Sequence, residues 1–215
     1  MHGTEQIGEG RGTRPRRVVR LMFAVMLVAA QMPGGAPAAE PAKIVAAKVT
    51  KVNDGDSLEV DTGAGHVRVR LSAVDTPEYD QPYGDKSSAF LKALIPVGTP
   101  VELDIVTQDQ FKRLVAVVWL LNGAERINVN VNDKMIREGH AWAYRRYMKD
   151  PRYCDLEAGA RDQKLGLWAQ PVKDWVYPPE WRFLKNGEIR ALPVPYEETR
   201  ARCVEVLSLA GAATY

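Results

Sequence analysis

The sequence predicts an α+β protein whose main domain is a five-stranded OB-fold β-barrel with three helices. Three segments of strand character, joined by short turns, come first and indicate an antiparallel meander. A helical segment, two apolar strand segments and two more helical segments follow. Five antiparallel strands with a helix between the third and the fourth is the OB-fold arrangement, which is therefore the fold that we expect.

The meander is predicted from the first part of this domain. Lys43–Val52 is rich in β-branched residues and indicates a strand. Asn53–Asp56 contains Asp-Gly, a strong hairpin signal, and leads into a second strand at Ser57–Asp61. After the turn Thr62–Gly65, apolar and polar residues alternate over Val67–Ala73, which predicts the third strand.

The periodicity changes in the second half of the barrel. Tyr83–Ile95 has helical spacing and ends before Pro96, which cannot continue a helix. Val101–Val106 alternates as a strand. Leu114–Leu121 is almost continuously apolar, which is typical of a strand that is buried on both faces.

Two helices are predicted to complete the domain. They cover Val129–Glu138 and Cys154–Lys164, and we expect them to stop at Gly139 and Gly166, because glycine favours the position that follows a helix. The composition then shifts to a tail rich in proline, tryptophan and tyrosine. We therefore expect a domain at residues 43–170 and a C-terminal extension at 171–215.

The first 39 residues have the layout of a secretory signal peptide. Arg14–Arg20 is positively charged, Leu21–Met32 is apolar, and Ala36–Ala38 supplies small residues at the cleavage spacing. This apolar run is too short to span a hydrocarbon core of about 30 Å, although an uncleaved anchor stays open as the alternative. We expect a periplasmic or secreted protein with no membrane span in its mature chain.

The net positive charge of the chain comes from this leader. The whole chain carries a formal charge of +2, but five arginines and two glutamates give the leader alone +3. The rest is therefore close to −1, so nucleic-acid binding must come from a local basic site.

The chain has two cysteines, Cys154 and Cys203. In an oxidising compartment they can pair, and closing a loop of this length stabilises a fold by about 4 kcal/mol in the chain-entropy model. Two separate buried thiols are the alternative. Because His2 lies in the leader, the two cysteines and the remaining His66 and His140 do not form a zinc-finger motif.

The stretch Val67–Glu78 concentrates charged groups at the end of a predicted strand. Arg70 lies within it, and Asp75 and Glu78 follow where Pro77 ends the strand. An arginine and two carboxylates in one short segment indicate half of a metal-dependent phosphodiesterase site.

Residues from about Val49 to Trp168 resemble the staphylococcal nuclease (thermonuclease) family. The matching motifs, in chain order, are DGDS at 54–57, VRLSAVDTPE at 69–78, QPYG at 81–84, D-x-x-x-R at 109–113, GHAWAYRRY at 139–147 and E-x-x-A-R-x-x-x-x-G-L-W at 157–168. Each motif is weak alone, but six in this order are specific.

The resemblance implies a calcium site. Asp56 and Asp75 match the metal-binding carboxylates of the family, and the main-chain carbonyl of Thr76 matches a further ligand. Oxygen ligands suit Ca²⁺. Two carboxylates about 4 Å apart repel each other by about 4 kcal/mol at an effective dielectric constant near 20, so we expect a strained site unless a cation offsets the repulsion.

The resemblance also assigns the catalytic groups. Glu78 matches the residue that orients or deprotonates the attacking water. Arg70 and Arg113 match the pair that clamps the phosphate, and their planar forks suit phosphate oxygens.

Substrate contacts are implied for Phe111, Tyr144 and Tyr147, although the two tyrosines can instead pack against the barrel, as we expect of Trp142. The family usually has Tyr-Gly before the second arginine, whereas Phe111 and Lys112 precede it here. Phenylalanine can stack on a base but offers no hydroxyl, and lysine lacks the freedom of glycine in a turn.

These implications lead to one expected function and two alternatives. We expect a monomeric, Ca²⁺-dependent nuclease that hydrolyses single-stranded DNA and RNA with little sequence preference, by direct attack of water, and that has no stable protein partner. The first alternative is a non-catalytic OB-fold module of the cell envelope that binds nucleic acid or protein. The second is an envelope protein of polysaccharide export in which the tail is the functional part.

Overall fold

The structure, a computed structural model, describes residues 43–146, 148–185 and 203–204. The predicted signal peptide at residues 1–39, Tyr147 and most of the C-terminal tail lie outside the described residues. Among the helices that are described, none combines the length and the apolar character needed to cross a bilayer.

The described residues form strands and helices in the following order. The strands are β1 (Lys43–Val52), β2 (Ser57–Asp61), β3 (His66–Leu71), β4 (Val74–Asp75), β5 (Pro100–Gln108), β6 (Leu114–Asn122), β7 (Glu125–Asn130) and β8 (Trp142–Ala143). The helices are α1 (Gly84–Leu94), α2 (Val131–Arg137), α3 (Arg152–Asp162) and α4 (Pro178–Lys185), with short 3-10 turns at Gly166–Ala169 and Val172–Asp174.

Five of these strands close into the predicted OB-fold barrel. The sheet runs β3-β2-β1-β5-β6 with antiparallel neighbours, and β3 then pairs with β6 to close it. This last pairing is parallel, so the expectation of an entirely antiparallel barrel is wrong at the closure. This pairing covers the edge of β3 and the first part of β6, while β7 pairs with the last part of β6 and forms the remaining edge.

The predicted helices are found within a few residues of their expected bounds. Helix α2 begins later than expected, at Val131, because β7 continues to Asn130, whose side chain accepts a hydrogen bond from the Asp133 N–H at 3.1 Å and caps the helix. Helix α4 was not predicted. It begins with Pro178 and Pro179, which are tolerated in a first turn because its N–H groups have no intrahelical partner.

The barrel encloses the main apolar core. The fully buried side chains include Val49, Leu58, Val60, Val69, Leu71, Leu91, Ile95, Leu103, Met135 and Ile136. In β6 only Ala116 and Val118 are buried and the other residues remain partly or largely exposed, so the expectation of a strand buried on both faces is wrong. One face of β6 points into the barrel and the other is half-covered.

Asn132 connects helix α2 to the barrel wall. Its side chain is fully buried, accepts a hydrogen bond from the Val118 N–H at 2.9 Å and donates to the carbonyl oxygens of Ser72 and Ala116 at 2.9 and 3.1 Å. These bonds fix the turn that follows β3, which carries the site described below.

A buried ion cluster joins helix α3 to β8. The Glu157 carboxylate accepts hydrogen bonds from the Ala143 N–H and from Arg145, both at 2.8 Å, and it forms an ion pair with Arg161 at 2.7 Å. Strand β8 pairs with β4, so this cluster supports the strand that ends in Asp75.

A disulfide joins Cys154 in α3 to Cys203, and both cysteines are buried. The bridge fixes a point of the C-terminal extension to the barrel domain.

Candidate active site

The site forms where the chain leaves β3 and turns into β4. Ala73 lies in this turn with φ of 59°, a left-handed conformation that is unfavourable by about 1–2 kcal/mol for a residue other than glycine. The turn reverses the chain, so Asp75 pairs with Trp142 of β8 and its side chain is fully buried.

The turn between β1 and β2 brings Asp56 to the same place. Asp54 organises it, because one of its carboxylate oxygens accepts the N–H groups of Asp56 and Ser57 at 3.0 and 2.7 Å. A Cβ at Gly55 would lie 2.8 Å from the Thr76 hydroxyl, so glycine permits the close approach of the two loops.

Arg70 connects the two buried carboxylates. Its guanidinium forms an ion pair with Asp56 Oδ1 and donates to Asp75 Oδ1 at 2.7 Å, and Asp56 Oδ2 accepts the Thr76 N–H at 3.1 Å. The strain expected between two like charges is therefore relieved in this structure by a guanidinium group.

Among the described residues, no protein group uses the second carboxylate oxygen of Asp75. Burial, the largest effect, raises the pKa of Asp75, and its ion pairs with Arg70 and Arg182 oppose the rise. Its Oδ1 accepts from both arginines at 2.7 Å, while its buried Oδ2 has no hydrogen-bond partner within residues 43–146, 148–185 and 203–204. A buried carboxylate oxygen with an unused acceptor site fits a hard cation.

The donor set around that oxygen is small. In the part of the chain that the structure describes, no three acidic, histidine or cysteine side chains cluster as a metal site. A cation here would have the carboxylates of Asp56 and Asp75, the Thr76 carbonyl and water as ligands. Such a set fits Ca²⁺ with few protein ligands, and we expect weak binding.

Glu78 is the accessible carboxylate of the site. Its N–H donates to Gln81 Oε1 at 3.1 Å, and its carbonyl accepts the Gln81 N–H at 2.9 Å, which fixes the loop. A Cβ at Gly84 would collide with the Glu78 carbonyl oxygen, so helix α1 can begin here only with glycine. The Glu78 side chain is 39% exposed and can meet a substrate.

Arg182 of helix α4 is a site residue that the sequence did not reveal. Its Nε donates to Glu78 Oε1 at 2.5 Å and its Nη2 donates to Asp75 Oδ1 at 2.7 Å. It lies 104 residues from Glu78, in a proline-rich tail outside every motif of the resemblance. No local signal identifies it.

Arg113 is not brought into contact with the site carboxylates. Within the described residues its side chain pairs with Asp109, with Nε donating to Oδ2 at 2.7 Å, and its Cζ lies 5.5 Å from the centre of the Phe111 ring. It directly precedes β6, which pairs with β3, so its backbone is near the strand of Arg70. Lys112 adopts φ of 61° in this turn, a position that suits glycine.

The expected substrate contacts have different surroundings. The Tyr144 N–H donates to the Ala73 carbonyl at 2.9 Å, and its ring centre lies 5.8 Å from Arg70 Cζ, so Tyr144 forms a wall of the site. Phe111 is 57% exposed. Trp142 is buried with its ring centre 4.5 Å from that of Trp168, as expected of a packing residue.

The sequence is similar to proteins from several organisms. The family described as staphylococcal nuclease homologue matches residues 68–170. An uncharacterized endonuclease of Escherichia coli O157:H7 is 38% identical over 140 residues, 64% of this chain and 85% of the relative. An uncharacterized endonuclease of Haemophilus influenzae is 35% identical over 136 residues, covering 63% and 71% of the two chains. A micrococcal nuclease of Shigella flexneri is 34% identical over 129 residues, covering 58% and 74%.

Proposed function

The chain belongs to the staphylococcal nuclease family, and from that premise we propose that it is a Ca²⁺-dependent endonuclease. It would hydrolyse phosphodiester bonds of DNA and RNA with little sequence preference. The observation that carries this proposal is the convergence of Asp56, Asp75, Glu78 and Arg70 at the end of β3. The names endonuclease and micrococcal nuclease among its relatives support the same class of reaction.

The metal site proposed for this reaction consists of Asp56, Asp75 and the Thr76 carbonyl. The unused Oδ2 of Asp75 supports the assignment. When bound, Ca²⁺ supplies positive charge that neutralises the phosphate and favours ionisation of water. With two protein carboxylates we expect a dissociation constant on the order of 10⁻⁴–10⁻³ M, as in other weak oxygen-ligand calcium sites.

The protein groups have separate roles in the proposed reaction. Arg70 donates N–H groups to the non-bridging oxygens of the scissile phosphate. Glu78 accepts a proton from the attacking water, whose oxygen bonds to phosphorus as the bond to the leaving sugar oxygen breaks. The leaving oxygen takes a proton from solvent, and no covalent enzyme intermediate forms. Tyr144 and Phe111 contact the nucleotides on either side.

Export through the leader is part of the proposal. The disulfide between Cys154 and Cys203 supports it, because such bonds persist in oxidising compartments. The mature protein would act as a monomer in the periplasm or outside the cell. Sequencing the amino terminus of the protein recovered from the periplasm tests this, and we expect it to begin near residue 40.

The activity is tested with the purified chain, lacking residues 1–39, on single-stranded DNA. We expect cleavage with Ca²⁺ and none with EDTA. Glu78→Gln should lower kcat/KM by about 10²–10⁴-fold, the usual contribution of a general base. Glu59→Gln is the matched control, since Glu59 lies on β2 and pairs with Lys51 at the surface.

A non-catalytic binding module is the alternative that this assay decides. Such a module would retain DNA in every condition and cleave none of it. A further variant, Phe111→Tyr with Lys112→Gly, restores the residues usual in the family before Arg113 and tests whether the turn limits activity. If this variant is also inactive, turn geometry does not explain the lack of cleavage.

A further inference from the structure

Arg182 has the same kind of position as Arg70, the arginine assigned above to the phosphate. Both guanidinium groups donate to a single atom, Asp75 Oδ1, at 2.7 Å. Arg70 reaches it from strand β3, and Arg182 reaches it from helix α4. The two planar guanidinium groups therefore converge on one carboxylate oxygen. Such a pair can bind a phosphate group from two sides.

Arg182 also retains donors for a further partner. Its Nε is used by Glu78 and its Nη2 by Asp75, while among the described residues no partner is found for Nη1. The Arg182 side chain is 40% exposed, so part of it is accessible from solvent. Arg113, in contrast, is held by Asp109.

The segment that carries Arg182 is fixed to the domain by several contacts. The Gln81 side-chain amide donates to the Val176 carbonyl at 2.6 Å. The Tyr177 ring lies 5.4 Å from that of Trp142, and the Trp175 ring lies 5.2 Å from that of Trp168. A latch that inhibits the site and then leaves would have to break all of these contacts. These contacts therefore indicate that the segment carrying Arg182 is a permanent part of the site.

We propose that Arg182 is a phosphate-binding residue of this site, supplied by the C-terminal segment. This inference rests on the proposed nuclease function. The guanidinium groups of Arg70 and Arg182 would together contact the scissile phosphate. Arg182 would also hold the Glu78 carboxylate in place. The C-terminal extension thereby becomes part of the active site of the domain.

Charge supports this assignment. Asp56, Asp75 and Glu78 supply three negative charges, and Arg70 offsets only one of them. Arg182 offsets a second, which reduces the repulsion that an incoming phosphate would meet at the site.

The first test measures binding without cleavage. The affinity of wild type and Arg182→Gln for a fluorescent single-stranded DNA oligonucleotide is measured in EDTA across a salt series. Loss of one phosphate contact should reduce the slope of log K against log salt by about 0.7. The matched control is Arg126→Gln, because Arg126 also pairs with two carboxylates, Glu102 and Asp104, but on β5. It should leave the slope unchanged.

The second test measures cleavage with Ca²⁺. Arg182→Gln should lower kcat/KM by about 10- to 100-fold, the range expected for a lost charged hydrogen bond. Arg182→Lys should recover only part, because an ammonium group has the charge but lacks the fork. Thermal melting of each variant checks the fold, and a purely structural role would lower the melting temperature with an unchanged salt slope.

The outcomes separate this inference from the proposed function. Faster cleavage or tighter binding by Arg182→Gln would identify an inhibitory latch and overturn the inference, as would a salt slope and kcat/KM equal to those of wild type. If wild type cleaves nothing but Arg182→Gln still loses salt slope, the proposed function fails and the phosphate contact stands. If wild type cleaves and the slope is unchanged, only the inference about Arg182 fails.

Discussion

Replacing Glu157 by glutamine is expected to lower the free energy of unfolding by about 3–5 kcal/mol, the usual effect of breaking a buried ion pair. The Glu157 side chain is 4% exposed and accepts from Ala143 and Arg145 at 2.8 Å, with Arg161 at 2.7 Å. Glutamine has a similar shape and can still accept the Ala143 N–H. It removes the negative charge that neutralises two arginines with side chains 5% and 11% exposed.

This loss should be visible in thermal and chemical unfolding. At about 2–4 °C per kcal/mol for a protein of this size, the melting temperature should fall by roughly 6–20 °C. Urea unfolding followed by tryptophan fluorescence gives the free energy directly, because Trp142 and Trp168 are buried beside the cluster. Glu59→Gln should change stability by less than about 0.5 kcal/mol, since its pair with Lys51 is exposed. A loss below about 1 kcal/mol in Glu157→Gln, with an unchanged m value, would show that the Glu157 ion pairs contribute little to stability.

Three further substitutions test other parts of the fold. Lys112→Gly should stabilise the protein by up to about 1 kcal/mol, because it relieves a non-glycine residue in the left-handed conformation. The greater chain entropy of glycine in the unfolded state offsets part of this gain. A lower urea midpoint for the variant would contradict the expectation. Replacing both Cys154 and Cys203 by serine should cost about 4 kcal/mol in the chain-entropy model, and unchanged stability after reduction of the wild type would argue against it. Burial lowers the pKa of His140 to about 4, so stability should fall as the unfolded chain takes up a proton between pH 6.5 and 4. His140→Gln should flatten the fall over that range in a pH series of urea midpoints, and an equally steep fall would exclude His140 as its source.

Most of the barrel could be predicted because its signals are local. The bounds of β1 follow from a β-branched segment that ends at Asn53–Asp56, and those of β2 from the turns at Asn53–Asp56 and Thr62–Gly65. Helix α1 follows from a change of period that Pro96 ends. These patterns lie within a few residues of the elements that they specify.

The features that were missed depend on contacts between distant parts of the chain. The parallel pairing of β3 with β6 closes the barrel across some 45 residues, and no local pattern specifies it. Strand β7 contains mainly polar or exposed residues and lies at the edge of the sheet, and the short alternation of Ile127 and Val129 runs directly into helix α2. Strands β4 and β8 have two residues each, too few for any periodicity.

The residues of the candidate site also fall into those predicted from local motifs and one brought in by a distant contact. Asp56, Asp75, Glu78 and Arg70 are named by motifs in the sequence, and the structure brings them together. Arg182 joins them through the docking of the segment that carries α4, where Trp175 and Tyr177 pack against Trp168 and Trp142. Sequence spacing carries no information about that docking.

The proposed cleavage of nucleic acid requires a cation that Asp56 and Asp75 are proposed to hold. The most direct measurement is the rate of single-stranded DNA cleavage across a calcium titration, for wild type and for Asp75→Asn. We expect wild type to be activated with a midpoint on the order of 10⁻⁴–10⁻³ M and Asp75→Asn to remain inactive over that range. Equal rates for the two proteins, or cleavage by wild type in EDTA, would exclude a catalytic cation held by Asp75.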